Sequence, residues 1–235
     1  MRGLLAGTVL ACLMFVPAIT RADGLLYQLP KDGAAVLFDV EMNMSRGGQE
    51  RTATGTLKMS SVGTSTENGE KCRWIEFKVT LKIEERERII VVKILVPEKN
   101  LKEGENAYGN NVRGWIRMGA DGEVVKLDDS NRSSIPAFLA GPLSDAKKLE
   151  PEIVESKLGK LKCAGVTGYV EYEEGAHKKK ATFETRRHTN APFGVVSTKI
   201  TFEGERDGQL KQEAVITFKL KEVSKDATSD LPDAN

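Results

Sequence analysis

Few residues in this chain have types and spacings suited to chemistry. His177 and His188 are the two histidines. The first stands before Lys178-Lys179-Lys180 and the second before Thr189-Asn190, so both read as ordinary surface residues. A zinc site would need Cys72 or Cys163 beside them, and no ligand spacing argues for that. Carboxylates are abundant but fall on the polar faces of alternating segments or in turns. A glycoside hydrolase would need two of them facing each other in a cleft with aromatic platforms. Asp128-Asp129-Ser130-Asn131 lacks the alternating ligand spacing of a calcium loop and reads as a polar turn. There is no glycine-rich phosphate loop, G-x-S-x-G elbow, H-E-x-x-H or C-x-x-C. A hydrolase would therefore need a carboxylate cluster or Cys–His pair assembled only in three dimensions. The expectation is a non-enzymatic protein with no catalytic residue, metal or cofactor.

Four residues remain as candidates. Of the three cysteines, Cys12 lies in the N-terminal segment expected to be cleaved, and Cys72 and Cys163 remain as an even pair, which an oxidising compartment could join as a disulfide. The alternative is two buried thiols acting as small apolar residues. Trp74 and Trp115 are the two tryptophans. Trp74 lies on the strand face opposite Ile75 and Phe77, together with Cys72 and Glu76. Either that second face is covered, or the indole is exposed as a ligand or partner surface. Trp115, beside Gly114, carries the same ambiguity.

The elements that must position these residues are strands, because apolar residues recur with period two. Val36, Phe38, Val40, Met42 and Met44 share a face. So do Ala53, Leu57 and Met59, then Ile75, Phe77, Val79, Leu81 and Ile83. Gly63 to Gly69 reads as a polar loop. Ile89 to Val96 is apolar except for Lys93, which predicts a strand buried on both faces. Val112–Met118 and Glu123–Leu127 form a hairpin around Ala120-Asp121-Gly122. Helical turns are expected at 98–104, 137–140 and 145–149. Strands resume at 161–172, with Gly159, Gly165 and Gly168 marking bulges or close backbone approach. They continue at 180–188, 196–202 and 210–220. The fold expected is mainly β: a curved antiparallel sheet of about ten strands, half-barrel or sandwich, with a few short helices.

Residues 1–22 read as a cleavable signal peptide. Arg2 supplies the positive start, and Leu4–Ile19 carries no charge and is shorter than the roughly 20 residues of a membrane span. Thr20-Arg21-Ala22 suits cleavage before Asp23. A single β-rich domain over 23–223 and a disordered tail over 224–235 are expected to follow. Losing Arg2 and Arg21 shifts the formal charge from +1 to −1. A near-neutral chain with mixed signs gives no electrostatic footprint for nucleic acid. The protein is expected to be exported, periplasmic or secreted, with no transmembrane segment after cleavage.

Cys72-Arg73-Trp74-Ile75-Glu76, Leu95-Val96-Pro97-Glu98-Lys99-Asn100-Leu101 and Val112-Arg113-Gly114-Trp115 resemble uncharacterised exported proteins of environmental bacteria. Leu158-Gly159-Lys160-Leu161-Lys162-Cys163 and Ala191-Pro192-Phe193-Gly194-Val195-Val196 share that resemblance. More distantly, the Pro192–Val196 turn leading into a late strand is similar to the LolA-like group of lipoprotein carriers. That resemblance implies a half-barrel whose curved sheet holds acyl chains in an apolar cavity, without catalytic residues. Two functions are therefore expected: an envelope protein binding a lipid or other apolar ligand, or a structural module meeting an envelope protein.

Overall fold

The computed structural model describes residues 23–46, 49–101, 107, 113–127, 142–174, 177–206 and 209–232. The signal peptide expected over 1–22 and the turn expected at 137–140 lie outside these residues. Eleven strands are present. They are β1 (Ala35–Arg46), β2 (Gln49–Glu67), β3 (Glu70–Ile83), β4 (Arg86–Pro97), β5 (Gly114–Met118) and β6 (Val124–Lys126). After them come β7 (Ser144–Ser156), β8 (Gly159–Glu174), β9 (His177–Arg187), β10 (Val195–Arg206) and β11 (Gln209–Ser224).

All eleven belong to one antiparallel sheet in the order β6-β5-β4-β3-β2-β1-β11-β10-β9-β8-β7. Two meanders are thus joined where the first strand pairs with the last. Among the described residues, strands β6 and β7 are the unpaired edges and the sheet does not close. The expected alternation is the physical cause: Val36, Phe38 and Val40 are buried while Asp39 and Glu41 are exposed. Among the described residues there is no second sheet and no α-helix, only a 3₁₀ turn at Glu98–Asn100. The half-barrel alternative therefore holds over the sandwich. The sheet covers its apolar face by curling, and inner-facing side chains from both wings form one continuous core. Leu25, Leu26, Leu101, Ala107 and Phe193, outside the strands, are wholly buried in it and plug one end.

Four local readings are corrected. The turn expected at 145–149 is part of β7, whose residues are nearly all exposed. Its Lys147, Lys148 and Pro151 protect a free edge from pairing with other chains, and they erase the apolar alternation that marks a strand. Second, the stretch 63–69 is not a loop. Strand β2 runs to Glu67 and turns at Asn68 (φ 51°) and Gly69 (φ 80°), a two-residue hairpin turn. Third, the helical turn expected over 98–104 is, where described, only the 3₁₀ turn. Fourth, Ser224 ends β11, and residues 225–232, expected to be disordered, lie docked on the outside of the sheet. The close approach expected at the glycines is present at Gly165 and Gly168 but not at Gly159, which has φ 95° at the β7–β8 turn and open space around it. A Cβ on Gly168 would stand 2.9 Å from Leu143 Cβ, and one on Gly165 would stand 2.7 Å from Leu149 Cβ.

Candidate functional site: the two faces of the open sheet

The outer face carries both tryptophans. Alternation along β3 turns Cys72, Trp74, Glu76 and Lys78 outward, and register brings Leu95 opposite Trp74 and Lys93 opposite Glu76. On β5, Trp115 lies opposite Lys93. The two indoles meet with ring centroids 5.4 Å apart, tilted by 56°. Cys72, Trp74 and Leu95 are buried, with Val62 and Trp115 packed against them, as a second small core outside the sheet. Trp74 is only 8% exposed, so the covered reading holds for it; Trp115 is half-buried.

The C-terminal segment helps form that cover. The Glu76 carboxylate accepts hydrogen bonds from Ser229 Oγ (2.6 Å), Asp230 N (3.0 Å) and Leu231 N (3.3 Å). Lys93, wholly buried, donates from Nζ to the Pro232 carbonyl at 3.1 Å and stands 5.5 Å from the Trp74 ring centroid. Lys78 pairs with Asp230 at 2.7 Å. These partners account for a charged pair on the outside of an otherwise apolar strand: buried charges must be paired and hydrogen-bonded. They also explain why Val91–Val96 is buried on both faces. Beside this strap, opposite Trp74, β2 bulges at Val62–Gly63. The Gly63 N–H donates to Asp32 Oδ1 at 2.7 Å, and Gly63 has φ 135°. An open groove of about 470 Å³ lies between this bulge and Thr228, Ser229 and Pro232.

The inner face is apolar beyond the limit of its packed core. Register aligns Phe38, Leu57, Val79, Ile90 and Met118 across five strands. The first two are buried, Val79 and Ile90 are partly buried, and Met118 is 62% exposed. Val125, facing the same way opposite Ile116, is 45% exposed. Toward the hairpins that join β1–β2, β3–β4 and β10–β11, Met42, Leu81 and Phe202 are partly buried. One end of the half-barrel is therefore plugged, while toward the other its lining becomes steadily more exposed. Across the sheet, Lys179 and Glu213 form an ion pair near Gly204.

The cysteines do not come together. Cys72 lies in the outer cluster and Cys163 in the inner core, with β2, β1, β11, β10 and β9 between their strands. Both thiols are free, so the disulfide alternative gives way to buried thiols. Burial raises both thiol pKa values above the ordinary range; the neighbouring Arg186 opposes this at Cys163. The Nδ1 of His188 accepts from Asn190 N at 3.1 Å within a turn. Among the described residues no three His, Cys, Asp or Glu side chains gather as metal ligands, and no helix is long and apolar enough to cross a membrane.

Composition alone did not single out Glu76, Lys93 or the strap. The available signal was Lys93, the one charge interrupting Ile89–Val96.

No family model and no curated protein matches the chain. Solved structures offer remote likenesses. A candidate exported protein with a YmcC-like fold from Bacteroides fragilis is 8% identical over 87% of this chain and 100% of its own, with TM-score 0.36. A candidate lipoprotein from Parabacteroides distasonis is 10% identical over 86% and 99%, also at 0.36. A candidate outer membrane lipoprotein-sorting domain from Vibrio parahaemolyticus is 8% identical over 82% and 85%, at 0.31. Scores this low do not define a shared fold.

Proposed function

We propose that the protein is a non-enzymatic binding protein of the bacterial envelope that holds the apolar part of a lipid against the inner face of its open sheet. The observation that carries this reading is the gradient along the inner face, from Phe38 and Leu57, fully packed, to Met118 and Val125, exposed. Large apolar side chains left in water on a concave surface are what an apolar ligand would cover, and each buried methylene is worth about 0.8 kcal/mol. The charge-free apolar run Leu4–Ile19, read as a leader, supports the export part of this reading. A fluorescent fatty acid should bind the mature protein with one saturable site. Met118→Asp combined with Val125→Asp should weaken that binding about tenfold, consistent with roughly 1.4 kcal/mol of lost apolar contact. Both positions are exposed, so thermal unfolding should be unchanged. Saturable binding that the double variant leaves intact would count against this face.

A second reading, a module that docks an envelope partner, draws on half-buried Trp115 in the outer cluster with Trp74, near the strap groove. Crosslinking in the native host, lost on Trp115→Ala, would favour it.

A further inference from the structure

We infer that the ligand is an anionic phospholipid, its tails on the inner face and its phosphate held by Arg51, Arg86 and Arg88. This rests on the proposed lipid-binding reading and adds the polarity of the ligand.

Register fixes which residues border the exposed end of the lining. Met42, Ala53, Ile83 and Arg86 align across β1 to β4, and Val40, Gly55, Leu81 and Arg88 form the next row inward. Arg51 lies one step further out, opposite Met44. All three arginines therefore fall on the same face as Leu57, Val79 and Ile90, and all three are exposed. The acids of these strands fall on the other face: Glu41 aligns with Thr54, Lys82 and Glu87 on the outside. On its strands the β1–β4 margin of the lining is thus cationic on its inner side, with the exposed acids Glu84 and Glu85 in the turn that joins β3 to β4.

An arginine at the rim of an apolar surface can lay its methylene stem along that surface and keep its guanidinium in water. There it offers a fork of donors whose geometry matches phosphate oxygens, which a neutral headgroup does not satisfy. An apolar lining that ends in three such forks is complementary to one kind of occupant, an amphipath with alkyl tails and an anionic head. Strand β5 pairs with β4 only from Ile90 to Ile94, so the Arg86–Arg88 stretch has a free side, but a strand added there would engage backbone groups, whereas the three guanidiniums lie on the inner face.

The test uses the mature protein and vesicles of equimolar phosphatidylglycerol and phosphatidylcholine. The protein is separated from the vesicles and the lipid it retains is quantified. The wild type should retain phosphatidylglycerol over phosphatidylcholine by about tenfold, and the preference should shrink at high ionic strength. Arg86→Glu with Arg88→Glu should abolish the preference while total lipid retained stays measurable. Lys58→Glu with Lys82→Glu makes the same charge change on the outer face and should leave the preference intact. Retention of both lipids in the ratio offered, or a preference that survives the arginine reversal, would overturn the headgroup assignment and leave the lipid-binding reading standing. Failure to retain any lipid would overturn both.

Discussion

Glu76 and Ser229 lie on β3 and on the C-terminal strap, yet they meet at 2.6 Å, the Ser229 hydroxyl donating to Glu76 Oε2. Two backbone N–H groups, of Asp230 and Leu231, converge on the same carboxylate. One side chain thereby fastens a chain terminus across the outside of the sheet.

Glu76→Ala should release that strap. Hydrogen bonds to a charged group contribute about 1.5–3 kcal/mol each, so the loss should be a few kcal/mol after solvation offsets it. Trypsin should then cut at Lys225 well before the body of the domain is attacked, and tryptophan emission should move to the red as Trp74 meets water. An unchanged cleavage pattern with unchanged emission would mean that the strap is held by other means.

The two tryptophans should differ in what they contribute. Trp74→Ala empties a buried site and should cost about 3–5 kcal/mol, whereas Trp115→Ala should cost clearly less because part of its ring is already in water. Denaturant titration of the two variants gives the comparison, and equal costs would contradict the burial described.

At the plugged end, Asp23 is 2% exposed and lies 3.8 Å from Arg187 Nη2. Its Oδ2 accepts from Leu143 N at 3.2 Å, and the Arg187 guanidinium stacks 4.2 Å from the Tyr27 ring centroid. Removing one charge of a buried pair leaves the other uncompensated. Arg187→Ala should therefore cost about 3–5 kcal/mol in chemical denaturation. A loss under about 1 kcal/mol would show the pair to be solvated.

The cysteines give a pH signature. Burial raises both thiol pKa values in the folded state above the unfolded value of about 8.5. The neutral thiol is thus favoured by folding. That contribution is fully present below the unfolded pKa and is lost as pH rises through the folded values. Folding stability should fall above about pH 8.5, by less in Cys72→Ala, and iodoacetamide should modify neither thiol until the protein unfolds. Rapid alkylation of folded protein at pH 7.5 would contradict the burial.

Much of the sheet was legible because one-sided burial writes a period-two pattern, as in Val36–Val40 and Ile75–Ile83. What escaped notice lacks that pattern for physical reasons. Strand β7 is an edge, and its Lys147, Lys148 and Pro151 are the residues that keep edges from aggregating. Residues 225–232 dock through the Ser229 hydroxyl, the Asp230 carboxylate and backbone N–H and C=O groups, none of which writes an apolar pattern, so their polar sequence suggested disorder. The bulge at Val62–Gly63 and the turn at Asn68-Gly69 were merged into one polar loop because both are rich in small residues. At the candidate site, Trp74 was placed on the correct face. Trp115 carries no face assignment in the sequence, because its meeting with Trp74 depends on the β3–β4–β5 register across 41 residues of sequence. The arginine margin was likewise hidden: facing a cavity rim or facing bulk water, an arginine at a strand end reads the same.

Native mass spectrometry of the protein purified from its own host tests the central claim most directly. A lipid-holding half-barrel predicts a population heavier than the polypeptide by the mass of one lipid, lost on organic extraction and diminished in the Met118→Asp, Val125→Asp variant. Protein that emerges from its host at the bare polypeptide mass, and that takes up no lipid when offered vesicles, would contradict it.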